Sequence, residues 1–278
     1  MRIEAFLYLC TMSTLVADGG STKTVWKIDG CETICTQGIN PIHQSQQEIE
    51  RILTGELVTS LPVVPSRVEF YGAGCRGESC SVVRRAISVA LGVSEDMVMV
   101  DSDLVGAARA LFGYSSGIAC ILGTGSNSGL YIEGNIVSNV RPLGYILGDE
   151  GSGAALGRMF LRSLLRGRLS PATAQAFGEW SHLGYDDIID KVYRQPLANR
   201  FLASLSLFVG KRVGEDAALR DMVKDNFRSF FQNSIDSYGR RDLPVGAVGS
   251  IAWSYSEILS EVAAEQGYTL GPVIRSPL

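Results

Sequence analysis

Apolar positions near the start of the chain alternate with polar ones in short bursts, whereas further on they recur every three or four residues. The first pattern predicts strands and the second amphipathic helices. Ser13 to Ala17 (STLVA), Val25 to Ile28 (VWKI) and Glu32 to Thr36 (ETICT) read as three successive strands, with Asp29-Gly30 as the tight turn between the last two. Ile49, Ile52, Leu53 and Leu57 lie at helical spacing, so a helix is expected over residues 46–61. Arg67 to Tyr71 and Met97 to Val100 read as buried strands, and helices are expected over 79–91 and 104–112. The rest is mostly helical, with helices over 153–166, 171–177, 186–193, 200–213, 217–238 and 254–266 and one strand, Val245 to Val248.

This pattern repeats. At an offset of 104, Gly19 falls on Gly123, Ile28 on Ile132, Asp29 on Glu133 and Gly30 on Gly134. Each half opens with an apolar run, a small-residue turn, an alternating strand, a tight turn and a third strand. The turns are DGGSTKT (Asp18 to Thr24) and GTGSNS (Gly123 to Ser128). An internal duplication of this kind predicts two related α/β domains, here 12–111 and 112–278, joined by a hinge because no low-complexity linker separates them.

Composition narrows the classes. The 278 residues are 46% apolar and 19% charged, with 25 basic and 29 acidic side chains, hence a net charge of −4. That balance, with no basic run, argues against a nucleic-acid footprint, and no apolar stretch is long enough to span a bilayer as a helix. Ala5 to Cys10 is too short for a signal-peptide core, so Met12 reads as the start and residues 1–11 as an upstream extension. Six scattered cysteines show no zinc spacing and read as reduced thiols of a cytosolic protein.

Of the 31 glycines, 11 fall in the 45 residues from Gly113 to Gly157, so close approach of backbone to a ligand is expected there. No P-loop, dinucleotide fingerprint or protein-kinase motif is present. Each hairpin tip instead offers successive backbone N–H groups with hydroxyls, a concavity suited to phosphate. Asp18, Gly19, Gly20, Ser21, Thr22, Lys23 and Thr24 form one candidate phosphate loop, and Gly123, Thr124, Gly125 and Ser126 the other. Asp18 suits a hydrated Mg²⁺, which needs only one or two carboxylates. Lys23 either screens phosphate or is simply solvated.

The motif order DGGSTKT, VDSDLVGAA, ILGTGSNS, LGYILGDEGSGAALGR and GAVGSIA resembles the BadF/BadG/BcrA/BcrD-type ATPase family and, within it, the N-acetylglucosamine kinases of the actin, Hsp70 and sugar-kinase superfamily. The resemblance runs from Met12 onward and implies two actin-like (ribonuclease H-like) domains with a nucleotide cleft between them. It implies ATP and Mg²⁺ as cofactors, a small-molecule sugar as the other partner, and Gly249 and Ser250 near the adenosine. By the same resemblance Asp103 is the acceptor-activating base, and Asn40, Asn127 and Asp149 contact the sugar. Family habit also implies a homodimer and a closing helix beyond VIRSPL, before which this chain stops at Leu278. Physical chemistry agrees about Asp103, because phosphoryl transfer needs positioning, charge neutralisation and one carboxylate for the hydroxyl proton. Asp103 follows a strand, where α/β sites gather.

Simpler roles compete at each position. Asp103 would serve as a helix N-cap, with Asp101 as the rival base; Asp149 and Glu150 would stabilise the start of the helix expected from Gly153. His43 and His182 read as ordinary, His43 alone lying near enough to Asn40 to line a sugar pocket. The expected activity is ATP-dependent phosphorylation of an amino sugar such as N-acetylglucosamine. The alternative is an ATPase of the BadF type that switches a protein partner, and a third reading is a nucleotide binder without activity. A zinc-bearing repressor is disfavoured, since no CxCGxxGC motif occurs, and paired cluster-binding cysteines are absent.

Overall fold

The structure is a computed structural model and describes residues 13–20 and 23–278. Two compact units divide the chain, one ending at Gly106 and the other spanning Ala107–Pro277.

The first unit contains β1 (Thr14–Gly19), β2 (Lys23–Ile28), β3 (Ile34–Gln37), α1 (Gln46–Ile52), β4 (Arg67–Gly72), α2 (Glu78–Leu91) and β5 (Val98–Ser102), and it holds the start of α3 (Asp103–Phe112). Its sheet has the order β3-β2-β1-β4-β5. The β1–β2 and β2–β3 pairs are antiparallel hairpins, and β1–β4 and β4–β5 are parallel. Period-two alternation puts Leu15, Ala17, Trp26, Ile28, Val68 and Phe70 into one core with Ile49 and with Val83, Ala86 and Ile87 of α2. A Ser45/Glu48 capping box starts α1. The helix continues through a wider turn, Leu53–Leu57, that buries Leu53 and Leu57, so the expected helix over 46–61 forms as one stretch with a changed pitch.

In the second unit β6 (Gly117–Leu122), β7 (Ser126–Ile132) and β8 (Asn135–Ser138) come first. The helices α4 (Gly144–Leu147), α5 (Gly153–Leu165), α6 (Pro171–Ser181), α7 (Tyr185–Tyr193), α8 (Ala198–Ser204), α9 (Ser206–Arg212) and α10 (Ala217–Phe230) follow. The chain ends with β9 (Val245–Val248), α11 (Ser250–Ser254), α12 (Ser256–Glu265) and β10 (Leu270–Ile274). The sheet order is β10-β9-β6-β7-β8, with antiparallel β6–β7 and β7–β8 and parallel β6–β9 and β9–β10. Strand for strand, this is the connectivity of the first sheet, so the repeat in the sequence is a repeat of topology. Glu133 (φ +46) and Gly134 (φ +91) make the tight turn expected between β7 and β8.

Besides the short α4, which the pattern does not predict, three segments depart from it. The helix expected over 200–213 begins at Ala198 and breaks at Leu205, where the Ser206 hydroxyl donates to the Ala203 carbonyl at 2.6 Å and competes with the helical ladder. The final helix begins at Ser250 and is interrupted at Tyr255, whose buried hydroxyl donates to the Ser206 carbonyl at 2.6 Å. The edge strand β10 was hidden by Gly271 and Pro272, residues that weaken a strand signal but are tolerated at an edge.

Trp26 is fully buried, and its indole N–H donates to Thr36 Oγ1 at 3.0 Å. Replacing it removes a large apolar group and the N–H that Thr36 Oγ1 accepts, so Trp26→Ala should cost about 3–5 kcal/mol. Urea unfolding of wild type and variant would measure this, and a loss well under about 1.5 kcal/mol would show that the first core does not depend on Trp26.

Candidate active site

In the first unit the register sets Gly19 level with Gly72, and Gly72 level with Ser102, so the carboxyl ends of β1, β4 and β5 form one rim. Asp18, Asp101 and Asp103 arrive there together. Val105 N–H donates to Ser102 Oγ at 3.3 Å, so Ser102 supplies the side-chain cap of α3. Asp103 Oδ1 accepts the Leu104 N–H at 2.8 Å, and Asp101 Oδ1 accepts the Ser102 N–H at 2.8 Å. Burial pushes the Asp103 carboxyl above the ordinary carboxylate value, against the opposing pull of the Leu104 N–H and the Arg76 guanidinium. Asp18 is raised as well, by burial first and by the charge of Asp103 second, while Lys23 draws it down.

Those two mutually repelling carboxylates are the feature that fits a divalent cation. Among the described residues no cluster of three or more His, Cys, Asp or Glu groups could hold a metal. A cation here would therefore keep most of its own waters, as Mg²⁺ does.

At the β1–β2 tip, Asp18 pairs with Val25 and Gly19 with Thr24, and the Gly20 N–H donates to the Lys23 carbonyl at 3.0 Å. Ser21 and Thr22 lie outside the described residues. Lys23 is exposed, whereas Thr24 is fully buried and its Oγ1 accepts the Ile39 N–H at 3.2 Å. Thr24 thereby anchors the segment that leads into Asn40. Asn40 in turn packs on the β4–α2 turn, where a Cβ on Gly74 would lie 2.4 Å from Asn40 Oδ1. The same turn is bonded to the tip, with the Ala73 N–H donating to the Gly19 carbonyl at 2.8 Å. His43 and His182 are both exposed.

In the second unit the β6–β7 tip closes with the Gly123 N–H on the Gly125 carbonyl at 3.0 Å. The first N–H groups of α5 are already spent: Gly153 donates to the Gly123 carbonyl at 2.8 Å, Ala154 to the Thr124 carbonyl at 3.1 Å, and Ala155 to Ser152 Oγ at 3.1 Å. Asp149 and Glu150 are thus not the caps of α5. Buried Asn226 of α10 clasps the preceding loop, accepting the Gly151 N–H at 3.0 Å and donating to the Ser152 carbonyl at 3.1 Å.

Asp149 has φ +58, a conformation that costs an ordinary residue strain and recurs at functional sites. Its carboxyl is raised by burial, opposed by the Ser126 N–H, raised further by Glu150 and lowered by Arg158. Gly125 permits this arrangement, because a Cβ there would lie 2.9 Å from Asp149 Oδ2. Asn127 and Asp149 share a cavity of about 350 Å³ with Ser126, Glu150, Arg141 and Leu147. One wall is α4, held by the Arg158 guanidinium, which donates to the carbonyls of Tyr145 and of Ile146, the latter at 3.0 Å.

A second cavity, of about 410 Å³, is lined by Ser250 and Ser254 of α11, Leu207, Gly210 and Lys211 of α9, and Trp180 of α6. Gly249, just before α11, has φ +126, and a Cβ there would lie 2.3 Å from the Leu122 carbonyl oxygen, so only glycine fits. Sequence reasoning missed Trp180, Leu207, Arg158 and Asn226. Each lies on a helix whose pattern reports only its apolar face, and nothing in that pattern shows which loop the face meets.

No protein-family model and no curated protein matches the chain. Among solved structures, it is 42% identical to a candidate N-acetylglucosamine kinase of Porphyromonas gingivalis, over 95% of each chain with a TM-score of 0.89. A candidate N-acetylglucosamine kinase of Chromobacterium violaceum matches at 19% identity over 94% of both chains, with a TM-score of 0.70. A ROK family glucokinase of Streptomyces griseus, solved with glucose and AMPPNP, matches at 14% identity over 95% of this chain and 94% of that one, TM-score 0.57. The latter two share the fold, which is the actin-like sugar-kinase fold of two α/β units. The identity to the Porphyromonas protein over nearly the full length of both chains goes further than fold, and the chain belongs to that family of sugar kinases.

Proposed function

We propose that the protein transfers the γ-phosphoryl group of Mg-ATP to a hydroxyl of an amino sugar such as N-acetylglucosamine, with Asp103 as general base. The observation that carries this reading is the Asp103 carboxyl itself. It stands at the carboxyl ends of parallel strands, yields the N-cap role to Ser102 while one of its oxygens accepts the Leu104 N–H, and has its proton affinity raised by burial. As the acceptor oxygen bonds to the γ-phosphorus, its proton passes to Asp103 and the bond from phosphorus to the leaving ADP oxygen breaks. The loops Gly19–Thr24 and Gly123–Ser126 would bind the phosphates, and Asp18 would hold a hydrated Mg²⁺ that neutralises phosphate charge. Asn40, Asn127 and Asp149 would hold the sugar. The cavity bounded by Trp180, Leu207 and Ser250 would take the adenine, in keeping with the family resemblance, which implies that Gly249 and Ser250 lie near the adenosine. The kinase named for the Porphyromonas relative and the AMPPNP bound in the Streptomyces glucokinase support substrate and nucleotide respectively. The order of the five sequence motifs favours the BadF-type branch.

Asp103→Asn should lower kcat at least about 100-fold while leaving ATP affinity within a few-fold, measured by coupled ADP release and nucleotide titration. Near-normal turnover in that variant would remove Asp103 from the mechanism. The pH dependence has a definite sign. Because the base must be ionised and its folded-state pKa is raised, kcat/KM should fall on the acid side at a pH above the ordinary carboxylate range.

A raised carboxylate pKa also means that the unliganded protein gains stability as pH falls through the folded-state pKa and loses it as pH rises. Asp103→Asn should therefore melt at or above the wild-type temperature at neutral pH, and a clear drop would contradict the burial cost assigned to this group. Leu207→Glu should raise the KM for ATP about tenfold or more and leave the sugar KM unchanged, because it places a like charge beside the nucleotide. An unchanged ATP KM would move the adenine elsewhere.

A further inference from the structure

We infer that Asn139 and Tyr238 are positioning residues of the acceptor site, which fix Asn127 so that its amide N–H groups, not its carbonyl, are presented to the sugar. The inference rests on the sugar-kinase reading and adds to it a direction of hydrogen bonding. Asn127 lines the cavity that also contains Asp149, and its Oδ1 is used twice, accepting the Ser128 backbone N–H at 2.9 Å and Asn139 Nδ2 at 3.0 Å. A backbone N–H can only donate, which settles which end of the Asn127 amide faces Ser128. The Asn139 amide is settled in the same way, since its Nδ2 also reaches the Ser128 carbonyl at 2.6 Å and the Val140 carbonyl at 3.2 Å, and both of these can only accept. Turning the Asn139 amide over would set oxygen against three oxygens, and turning the Asn127 amide over would set its N–H groups against the Ser128 N–H and the Asn139 amide N–H groups.

Tyr238, which follows α10, closes the network. Its hydroxyl lies 2.9 Å from Ser128 Oγ and accepts the Val140 N–H at 3.1 Å. Ser128 is buried, so this bond ties the β7 backbone beside Asn127 to the segment Asn139–Val140 that follows β8. Asn127 Nδ2 has no partner among the described residues, so its two N–H groups are what the side chain offers to a ligand. Asp149 in the same cavity offers carboxylate oxygens. The acceptor site therefore pairs a neutral donor with an anionic acceptor. It would receive a hydroxyl or acetamide oxygen at Asn127 and a hydroxyl proton at Asp149. Asn139 does not line the cavity and acts through Asn127.

The test uses the full chain, with ADP release measured at varied N-acetylglucosamine and varied ATP for wild type, Asn139→Ala, Asn139→Asp and Tyr238→Phe. The inference predicts a sugar KM raised about tenfold in both Asn139 variants and about threefold in Tyr238→Phe, with the ATP KM within about twofold of wild type. Asn139→Asp keeps the side-chain volume but turns an oxygen toward Asn127 Oδ1, so it should be no better than alanine. Thermal melting accompanies each variant. If Asn139→Ala fails to fold, the two isosteric changes decide; failure of all three to fold would make the network structural and overturn the inference. A wild-type sugar KM in the folded variants, or equal rises in both KM values, would overturn it while leaving the kinase reading intact. Wild type without sugar-dependent ADP release over a panel of amino sugars and hexoses would overturn both.

Discussion

The second unit depends on how the amino terminus of α5 satisfies its N–H groups. A helix start leaves several N–H groups without intrahelical partners, and these commonly bind an anion. Here Gly153 and Ala154 donate instead to the carbonyls of Gly123 and Thr124, and the Ser152 hydroxyl takes the next. That choice joins the β6–β7 tip and the loop carrying Asp149 into one hydrogen-bonded body. The tip keeps its carbonyls turned toward protein, and Gly125 then packs against Asp149 with no room for a methyl group. Asn226 completes the body from α10, and both of its bonds are buried, so losing them would strand a donor and an acceptor at about 1–3 kcal/mol each.

The first unit reaches a similar result with different bonds. Its strand ends are level because β1, β4 and β5 pair in parallel without a shift, and the Ala73 N–H ties the turn after β4 to the carbonyl of Gly19. In this unit the tip, the turn that receives Asn40 and the carboxylates at the rim are held by backbone geometry. Side chains are then left for chemistry. Ser102 takes the N-cap bond from Val105, and Asp103, one residue on, accepts the Leu104 N–H through one of its two oxygens. A neighbouring pair of Ser and Asp before a helix is therefore more informative than either residue alone.

Much of this was legible in the sequence because a duplicated strand pattern leaves a trace in glycine spacing. The two hairpins, their tight turns and the strand Val245 to Val248 follow from alternation and from Asp29-Gly30 and Glu133-Gly134. The breaks at Leu205 and Tyr255 do not: at the first the Ser206 hydroxyl bonds back locally to the Ala203 carbonyl, and at the second the Tyr255 hydroxyl reaches the distant Ser206 carbonyl, side-chain bonds that apolar periodicity does not register. The same limit applies to the site. Motifs flagged Asn127 and Asp149, which the structure places in one cavity, but the groups that orient them lie outside any motif. Arg158 falls on a helix face that reads as solvated, and Tyr238 sits more than a hundred residues from its partner Ser128.

Three carboxylates, Asp18, Asp103 and Asp149, are held where burial disfavours their charge, and in each case burial is the largest cause. A chain selected only for stability would replace them with neutral groups, since each is unfavourable to the unliganded fold at neutral pH. What the fold gains is readiness: carboxylates already stripped of much of their water and aimed by fixed backbone need little reorganisation when a cation or a hydroxyl arrives. The strained backbone at Asp149 fits the same account, because its left-handed φ is maintained by Ser126, Gly125 and the clasped loop rather than by any local preference. Rigidity in the hydrogen-bonded loops and instability in the carboxylates are thus two parts of one arrangement, in which the strain of the charged groups is carried by a scaffold whose own bonds are complete.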